Sequence, residues 1–189
     1  MRKERPSQIG IKKVSQEVDL YTLSKHLECL DLTNNDNLNF WLYCKIATST
    51  GLRSIDILEM KTNSIDFKTG IVQLTEKKTK KDVEFELHKN ILDHIDTTRE
   101  FVIWNEKYQT NVSLMTINRR LKTIYPNTKG ISSHSIRKAT AKFVYKSFDN
   151  DIIKAMTFLN HSSPIMTKNY LGVTNDEKRE VRRVLNVFI

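Results

Sequence analysis

Two hydrophobic rhythms alternate along the chain. "EVDLYTLSKHLECL" sets Leu20, Leu23, Leu27 and Leu30 three or four residues apart, which is one face of an amphipathic helix. "NDNLNFWLYCKIATST" repeats that spacing with Leu38, Trp41, Leu42 and Ile46, and Asn35 or Asp36 can cap it. "TGLRSIDILEMK" reads as a turn followed by a short helix whose apolar residues Ile55, Leu58 and Ile57 are candidates to point inward. At residue 64 the period shortens. "SIDF", "IVQLTE" and "DVEFELH" alternate apolar and polar residues around a Lys-Thr-Gly turn and a lysine-rich turn, "KKTKK", and predict three antiparallel strands. Helical spacing returns from residue 89 in "KNILDHIDTT", "SLMTINRRLKTIY", "SHSIRKATAKFVYKSF", "NDIIKAMTFLN", "SPIMTKNYLG" and "DEKREVRRVL". Pro126, Gly130, Asn160 and Gly172 punctuate these segments as helix stops do.

The pattern predicts an α+β fold, mostly α-helical, with one small three-stranded antiparallel sheet. No repeat, low-complexity tract or linker interrupts the 189 residues, so a single domain spanning 1–189 is expected, large enough to bury a substantial core. Charge narrows the partners: 31 Lys and Arg against 22 Asp and Glu give a formal charge of +9, which suits a polyanion, nucleic acid first. The cations are scattered from Lys3 to Arg183 instead of lining one amphipathic helix, which argues against a membrane surface. There is no apolar run of about 18 residues, and "MRKERPSQIGIKK" lacks the apolar centre of a secretion signal, so a soluble, cytoplasmic protein is expected. Cys29 and Cys44 fall on predicted apolar helix faces and are expected to be buried, reduced thiols. Neither has zinc-ligand spacing, and the clustered carboxylates of a two-metal nuclease are missing, so no metal or cofactor is expected.

Four stretches carry candidate chemistry. In "SHSIRKATA", Ser133 is the expected N-cap, and His134 and Arg137 share a face beside the free N–H groups of a helix start, a place that suits a phosphodiester oxygen. In "LNHSSPIMTKNYLG", His161 precedes a helix capped by Ser163, opened by Pro164 and carrying Tyr170. Arg53 follows the turn at Gly51, and the lysines of "EKKTKK" sit at a hairpin tip. Each piece alone is commonplace: HxxR occurs on solvated helix faces, an isolated tyrosine usually packs into a core, and a lysine run often only protects a sheet edge.

Taken in order, arginine, hairpin lysine, HxxR, histidine and tyrosine change the reading. The sequence resembles the catalytic domain of the tyrosine recombinases, the phage-integrase family, in "TGLRSIDILEMK", "KTKKDVEFEL", "HSIRKATA" and "LNHSSPIMTKNYLGV", over most of its length. The resemblance implies that Arg53 and Arg137 clamp the scissile phosphate and that Tyr170 attacks it. It further implies His134 as the base or proton shuttle and His161 as a donor to the phosphate. Lys78 becomes the hairpin acid that protonates the leaving 5′-oxygen, with Lys77 and Lys80 as alternatives. Asn160 stands where many members have glycine, and Lys138 where many have a further basic or polar residue.

The resemblance also implies double-stranded DNA as partner, a homotetramer on DNA with a monomer when free, no cofactor, and a bacterial or phage-encoded protein at the nucleoid. Family members generally carry core-binding and arm-binding domains before the catalytic one, and residues 1–189 contain neither. The tail "REVRRVLNVFI" is expected to pack on a neighbouring protomer or to close its own core. Two other readings fit part of the residue set: a type IB topoisomerase, which relaxes DNA by the same chemistry, and a non-catalytic helix-turn-helix DNA-binding protein in which Tyr170 belongs to the core.

Overall fold

A computed structural model describes residues 16–173. The predicted helix "DEKREVRRVL" and the apolar tail after it lie outside the described residues. Helix α1 (Leu20–Glu28) is capped by Asp19, whose carboxylate accepts from the Thr22 N–H at 2.8 Å, and it buries Leu23 and Leu27 as the spacing requires. Helix α2 (Asn35–Thr50) is capped by Asn34, one residue earlier than expected. It buries Phe40, Trp41, Leu42, Tyr43, Cys44, Ile46 and Ala47, so it is covered on nearly every side and forms the centre of the molecule.

α2 ends at Gly51, which adopts a left-handed conformation with φ of 62°. A Cβ there would collide with the ring of Phe158, so glycine is favoured twice, by the backbone angle and by the space. Gly51→Ala is therefore expected to destabilise the protein by about 2 kcal/mol or more, read as a lower melting temperature. An unchanged melting temperature would mean that Phe158 yields freely.

Helix α3 (Ser54–Leu58) follows at once, with Arg53 in the N-cap position. After a single 3₁₀ turn at Thr62–Ser64, strands β1 (Ile71–Thr75) and β2 (Asp82–Glu86) pair antiparallel, Ile71 opposite Glu86 and Thr75 opposite Asp82. The third strand expected at "SIDF" contracts to one bridge between Ile65 and Val72. The cause is the turn beside it: the Asp66 N–H donates to the Ile71 carbonyl and the Gly70 N–H donates to the Asp66 carbonyl, reversing the chain before a strand can extend.

Helix α4 (Lys89–Leu92) is one turn long, far shorter than "KNILDHIDTT" suggested, because the chain turns at Asp96, whose carboxylate accepts from the Thr98 N–H. A second antiparallel pair that the sequence pattern did not announce, β3 (Trp104–Asn105) and β4 (Thr110–Asn111), leads into α5 (Leu114–Ile124). Helices α6 (Ser133–Ser147), α7 (Ile152–Phe158) and α8 (Pro164–Leu171) complete the described chain. The fold is thus mostly helical with small antiparallel sheets.

Among the described residues the apolar interior has two parts. The larger draws Leu23, Phe40, Ile46, Ile57, Ile103 and Leu121 together against Ile136 and Ala139 on one side of α6. The smaller joins Ala141 and Tyr145, farther along α6, to Ala155, Leu159 and Leu171 of the last two helices and turns. Helix α6 is the wall between them. Cys44 is buried as expected, but Cys29 is exposed, because α1 ends at Glu28 and Cys29 is its C-cap. Among the described residues no helix is long and apolar enough to cross a membrane, and no group of His, Cys, Asp or Glu is arranged to hold a metal ion.

Candidate active site

The start of α6 sets the geometry. Ser132, not Ser133, is its N-cap, in a capping box with Ser135. The Ser133 N–H donates instead to Oδ1 of Asn118 at 2.7 Å, which pins the start of α6 to α5. From this fixed first turn His134 lays its ring against Tyr170 with one edge open to solvent, while Arg137 turns inward and is only 4% exposed. Nη1 of Arg137 donates to the Gly51 carbonyl, and Nη2 donates to the Leu159 carbonyl at 2.9 Å. One guanidinium therefore ties the end of α2 to the end of α7. Burial lowers its pKa, yet a guanidinium remains charged at neutral pH.

Arg53 reaches the same region from the start of α3, and its Nη1 pairs with Oε1 of Glu76 at 2.5 Å. Glu76 lies just beyond β1 and is wholly buried. Its Oε2 accepts from the Thr79 hydroxyl and, at 3.1 Å, from Nδ2 of Asn160. The hairpin turn is further held by the Lys77 N–H, which donates to Oδ1 of the buried Asp56 at 2.8 Å.

The lysines of the hairpin diverge. Nζ of Lys77 pairs with Glu59 after α3, and Lys80 occupies a left-handed position with φ of 56°. Lys78 stands near enough to His134 to help lower its pKa. Lys81, which the sequence did not single out, brings Nζ to 3.5 Å from the Asn160 carbonyl and acts on His161 in the same sense.

Asn160 itself has φ of 50°, which explains a residue found where many family members have glycine: asparagine is among the few side chains that tolerate the left-handed region. His161 follows, with Nδ1 hydrogen-bonded to the buried Thr167 hydroxyl at 3.1 Å. On α8, capped by Ser163 and opened by Pro164 as expected, Tyr170 stands between two imidazoles. Its ring meets His134 edge-on at 5.1 Å and His161 edge-on at 5.5 Å. The Tyr170 hydroxyl is buried and no hydrogen bond of good geometry closes to it, although the Arg137 guanidinium lies near enough to favour its ionised form.

Electrostatics follow from this packing. Burial pushes the Tyr170 phenol up to about 12, while Arg137 and Arg53 pull it the other way. His134 is lowered by burial first and then by Arg137, Lys138, Lys78 and Arg53. His161 is pulled down to about 4, again by burial first, then by Arg137 and Arg53, with Glu76 opposing. Both imidazoles are neutral at pH 7. Burial raises Asp56, and the neighbouring Glu76 adds to the rise.

The His161 shift has a sign that can be measured. With a folded value of about 4 and an unfolded value near 6.5, the unfolded chain binds the extra proton between those two pH values. The contribution to stability is therefore complete above about pH 6.5 and is lost as pH falls towards 4. Melting temperatures compared at pH 4.5 and 6.5 should differ less in His161→Gln than in the wild type. An equal difference would remove His161 as a source of the acid sensitivity.

The structure thus brings Arg53, Lys78, His134, Arg137, His161 and Tyr170 into one neighbourhood built from α3, the β1–β2 hairpin, α6, the loop after α7, and α8. Two guanidinium groups there can hold an oxyanion, and two neutral imidazoles flank a buried phenol hydroxyl. Glu76, Asp56, Lys81 and Thr167 escaped the sequence reading. For Glu76 a signal existed: continuing the alternation of Val72 and Leu74 by two residues puts it on the inward face.

Comparisons with known proteins fall on the same architecture. The model of the "Phage integrase family" matches residues 18–177. A "Probable integrase/recombinase YoeC" of Bacillus subtilis (strain 168) is 25% identical over 161 residues, covering 81% of this chain and 87% of that protein. Among solved structures, XerH site-specific recombinase bound to its difH substrate in a pre-cleavage complex superposes with a TM-score of 0.66 at 17% identity, over 96% of this chain and 57% of that one. XerA recombinase gives a TM-score of 0.64 at 16% identity, over 87% of this chain and 63% of that one. The chain therefore spans less than two thirds of the length of these two solved recombinases, whose likeness carries the fold. With the family model matched from the first helix to beyond Tyr170, and with that fold beneath it, the chain belongs to the phage integrase family, whose motifs its sequence resembles.

Proposed function

We propose that this chain is the catalytic domain of a site-specific DNA recombinase, which cleaves and rejoins strands through a covalent link between Tyr170 and a DNA 3′-phosphate. The observation that carries the reading is the buried Tyr170 hydroxyl between two neutral imidazoles and beside Arg137. A phenol held near 12 is almost entirely protonated at pH 7, so it needs a base at the moment of attack. His134, kept neutral by burial and by the surrounding cations, can take that proton.

As Oη of Tyr170 bonds to phosphorus, the phosphorus–O5′ bond breaks and Lys78 protonates the departing O5′. Arg53 and Arg137 present planar donors to the non-bridging oxygens, where charge builds in the five-coordinate transition state. His161, braced at Nδ1 by Thr167, leaves Nε2 for the same oxygens. One phosphoester replaces another, so a 5′-hydroxyl can reverse the step without ATP, metal or redox cofactor.

Double-stranded DNA is the partner, met as a homotetramer that assembles on it from free monomers, in a bacterial or phage-encoded context at the nucleoid. The net charge of +9 supports binding dominated by phosphate contacts that weaken with salt. The test is covalent trapping on nicked duplexes whose short 5′ fragment diffuses away after cleavage. A denaturing gel should show protein-linked DNA. If none forms even with core-binding and arm-binding domains joined upstream, the reading fails.

A further inference from the structure

Glu76 is the one wholly buried carboxylate among the described residues at this site, and the functional reading leaves it without a role. Burying a carboxylate is costly unless donors surround it, and here the donors come from three separate segments. Arg53 enters from the start of α3, Thr79 from the hairpin turn, and Asn160 from the loop after α7. Each segment carries a group the proposed reaction needs. Arg53 is itself a phosphate clamp, Thr79 is the neighbour of Lys78, and Asn160 is the neighbour of His161. The backbone of Glu76 adds to the arrangement: its N–H donates to the Lys81 carbonyl at 2.9 Å, and its carbonyl accepts from the Lys80 N–H at 2.9 Å, closing the turn around Lys78.

We propose that Glu76 is a positioning residue that holds Arg53, the Lys78 turn and the His161 loop in a single register, with Asn160 as its partner. The inference rests on the recombinase reading for the roles of those groups, though not for the contacts themselves. Asn160 supplies both a side chain that the left-handed backbone tolerates and a donor that glycine in its place lacks. Glu76 touches no reacting atom and acts through the groups it holds.

The experiment compares Glu76→Gln with the wild type on two nicked duplexes, one with the ordinary bridging 5′-oxygen at the scissile phosphate and one with bridging 5′-sulfur. A thiolate leaves without a proton donor, since a thiol ionises near pH 8.5, so the sulfur duplex does not need Lys78. Cleavage of the oxygen duplex by Glu76→Gln should fall on the order of 10- to 100-fold, as for other groups that orient reactive side chains. On the sulfur duplex the deficit should shrink severalfold, leaving only the part that passes through Arg53 and His161. Amide hydrogen exchange at residues 77–81 should accelerate in the same variant. Glu84→Gln, an exposed carboxylate on β2 paired with Gln73, should leave both readouts unchanged.

Equal deficits on the two duplexes, or unchanged exchange in the turn, would overturn the proposal. Where Glu76→Gln does not fold, Asn160→Gly removes a single donor and is read in the same way. If wild-type protein forms no covalent adduct, the recombinase reading falls, and the exchange measurement alone decides whether Glu76 holds the turn.

Discussion

Tyr170→Phe is expected to abolish protein-linked DNA while leaving the protein at least as stable as the wild type. The two effects share one cause. The hydroxyl is the only part of the side chain that can bond to phosphorus, so its removal ends the chemistry outright and no residual adduct remains on a denaturing gel. Yet the same hydroxyl is buried without a hydrogen bond of good geometry, and an unsatisfied buried polar group costs about 1–3 kcal/mol. Phenylalanine keeps the ring between His134 and His161 and loses that penalty, so the melting temperature should hold or rise. DNA binding, which depends on the cations, should be retained. A persisting adduct would move the nucleophile elsewhere, and a marked loss of stability would mean that the hydroxyl is bonded in solution. A non-catalytic DNA-binding protein would form no adduct in either variant.

Arg137→Lys should fail in the opposite manner, losing activity and stability together. Arg137 donates to the Gly51 and Leu159 carbonyls at once, a fork that a single ammonium cannot reproduce. The change leaves a buried carbonyl short of its donor and buries an ammonium in its place. A cost of about 2–4 kcal/mol is expected, together with a fall in cleavage rate of about 10²–10³ from the lost contact to the phosphate. Urea unfolding monitored by circular dichroism gives the first number and single-turnover cleavage of a nicked duplex the second. A variant that cleaves normally would show that Arg137 serves the scaffold alone. One that keeps full stability but loses cleavage would show that the carbonyl contacts carry little.

The contrast between these substitutions matches what could be read from the sequence. Helices α1, α2, α5, α6, α7 and α8 were legible because each carries a strong helical stripe, a cap, or both. The β1–β2 hairpin was legible from its alternation. The β3–β4 pair was not, because strands of two residues are too short for a period to register. The third strand was over-read at Ile65, where Asp66 and Gly70 close a turn that local alternation cannot foresee.

Among candidate site residues, the family resemblance implied Arg53, His134, Arg137, His161 and Tyr170, and named Lys78 with Lys77 and Lys80 as alternatives. Lys77 is drawn to Glu59, and Lys81 points to the loop at Asn160. For Glu76 the alternation of β1 pointed inward, but its chemistry pointed the other way. A glutamate between a strand and a lysine run looks solvated, and only the convergence of three distant donors makes its burial tolerable.

The division of the interior into two apolar clusters gives the molecule an uneven exposure to mutation. The larger cluster supports α2, the hairpin and the arginine of α3, so a cavity opened there threatens the whole fold and with it the amount of protein a cell retains. The smaller one, of five buried residues among those described, lies under α7 and α8 and supports the helix that carries Tyr170. Damage there can free that helix through local opening while the rest stays folded. On the recombinase reading proposed above, inherited changes at Ala155 or Leu171 would therefore leave an abundant, DNA-binding and inactive protein, able to occupy recombination sites and compete with its own active parent.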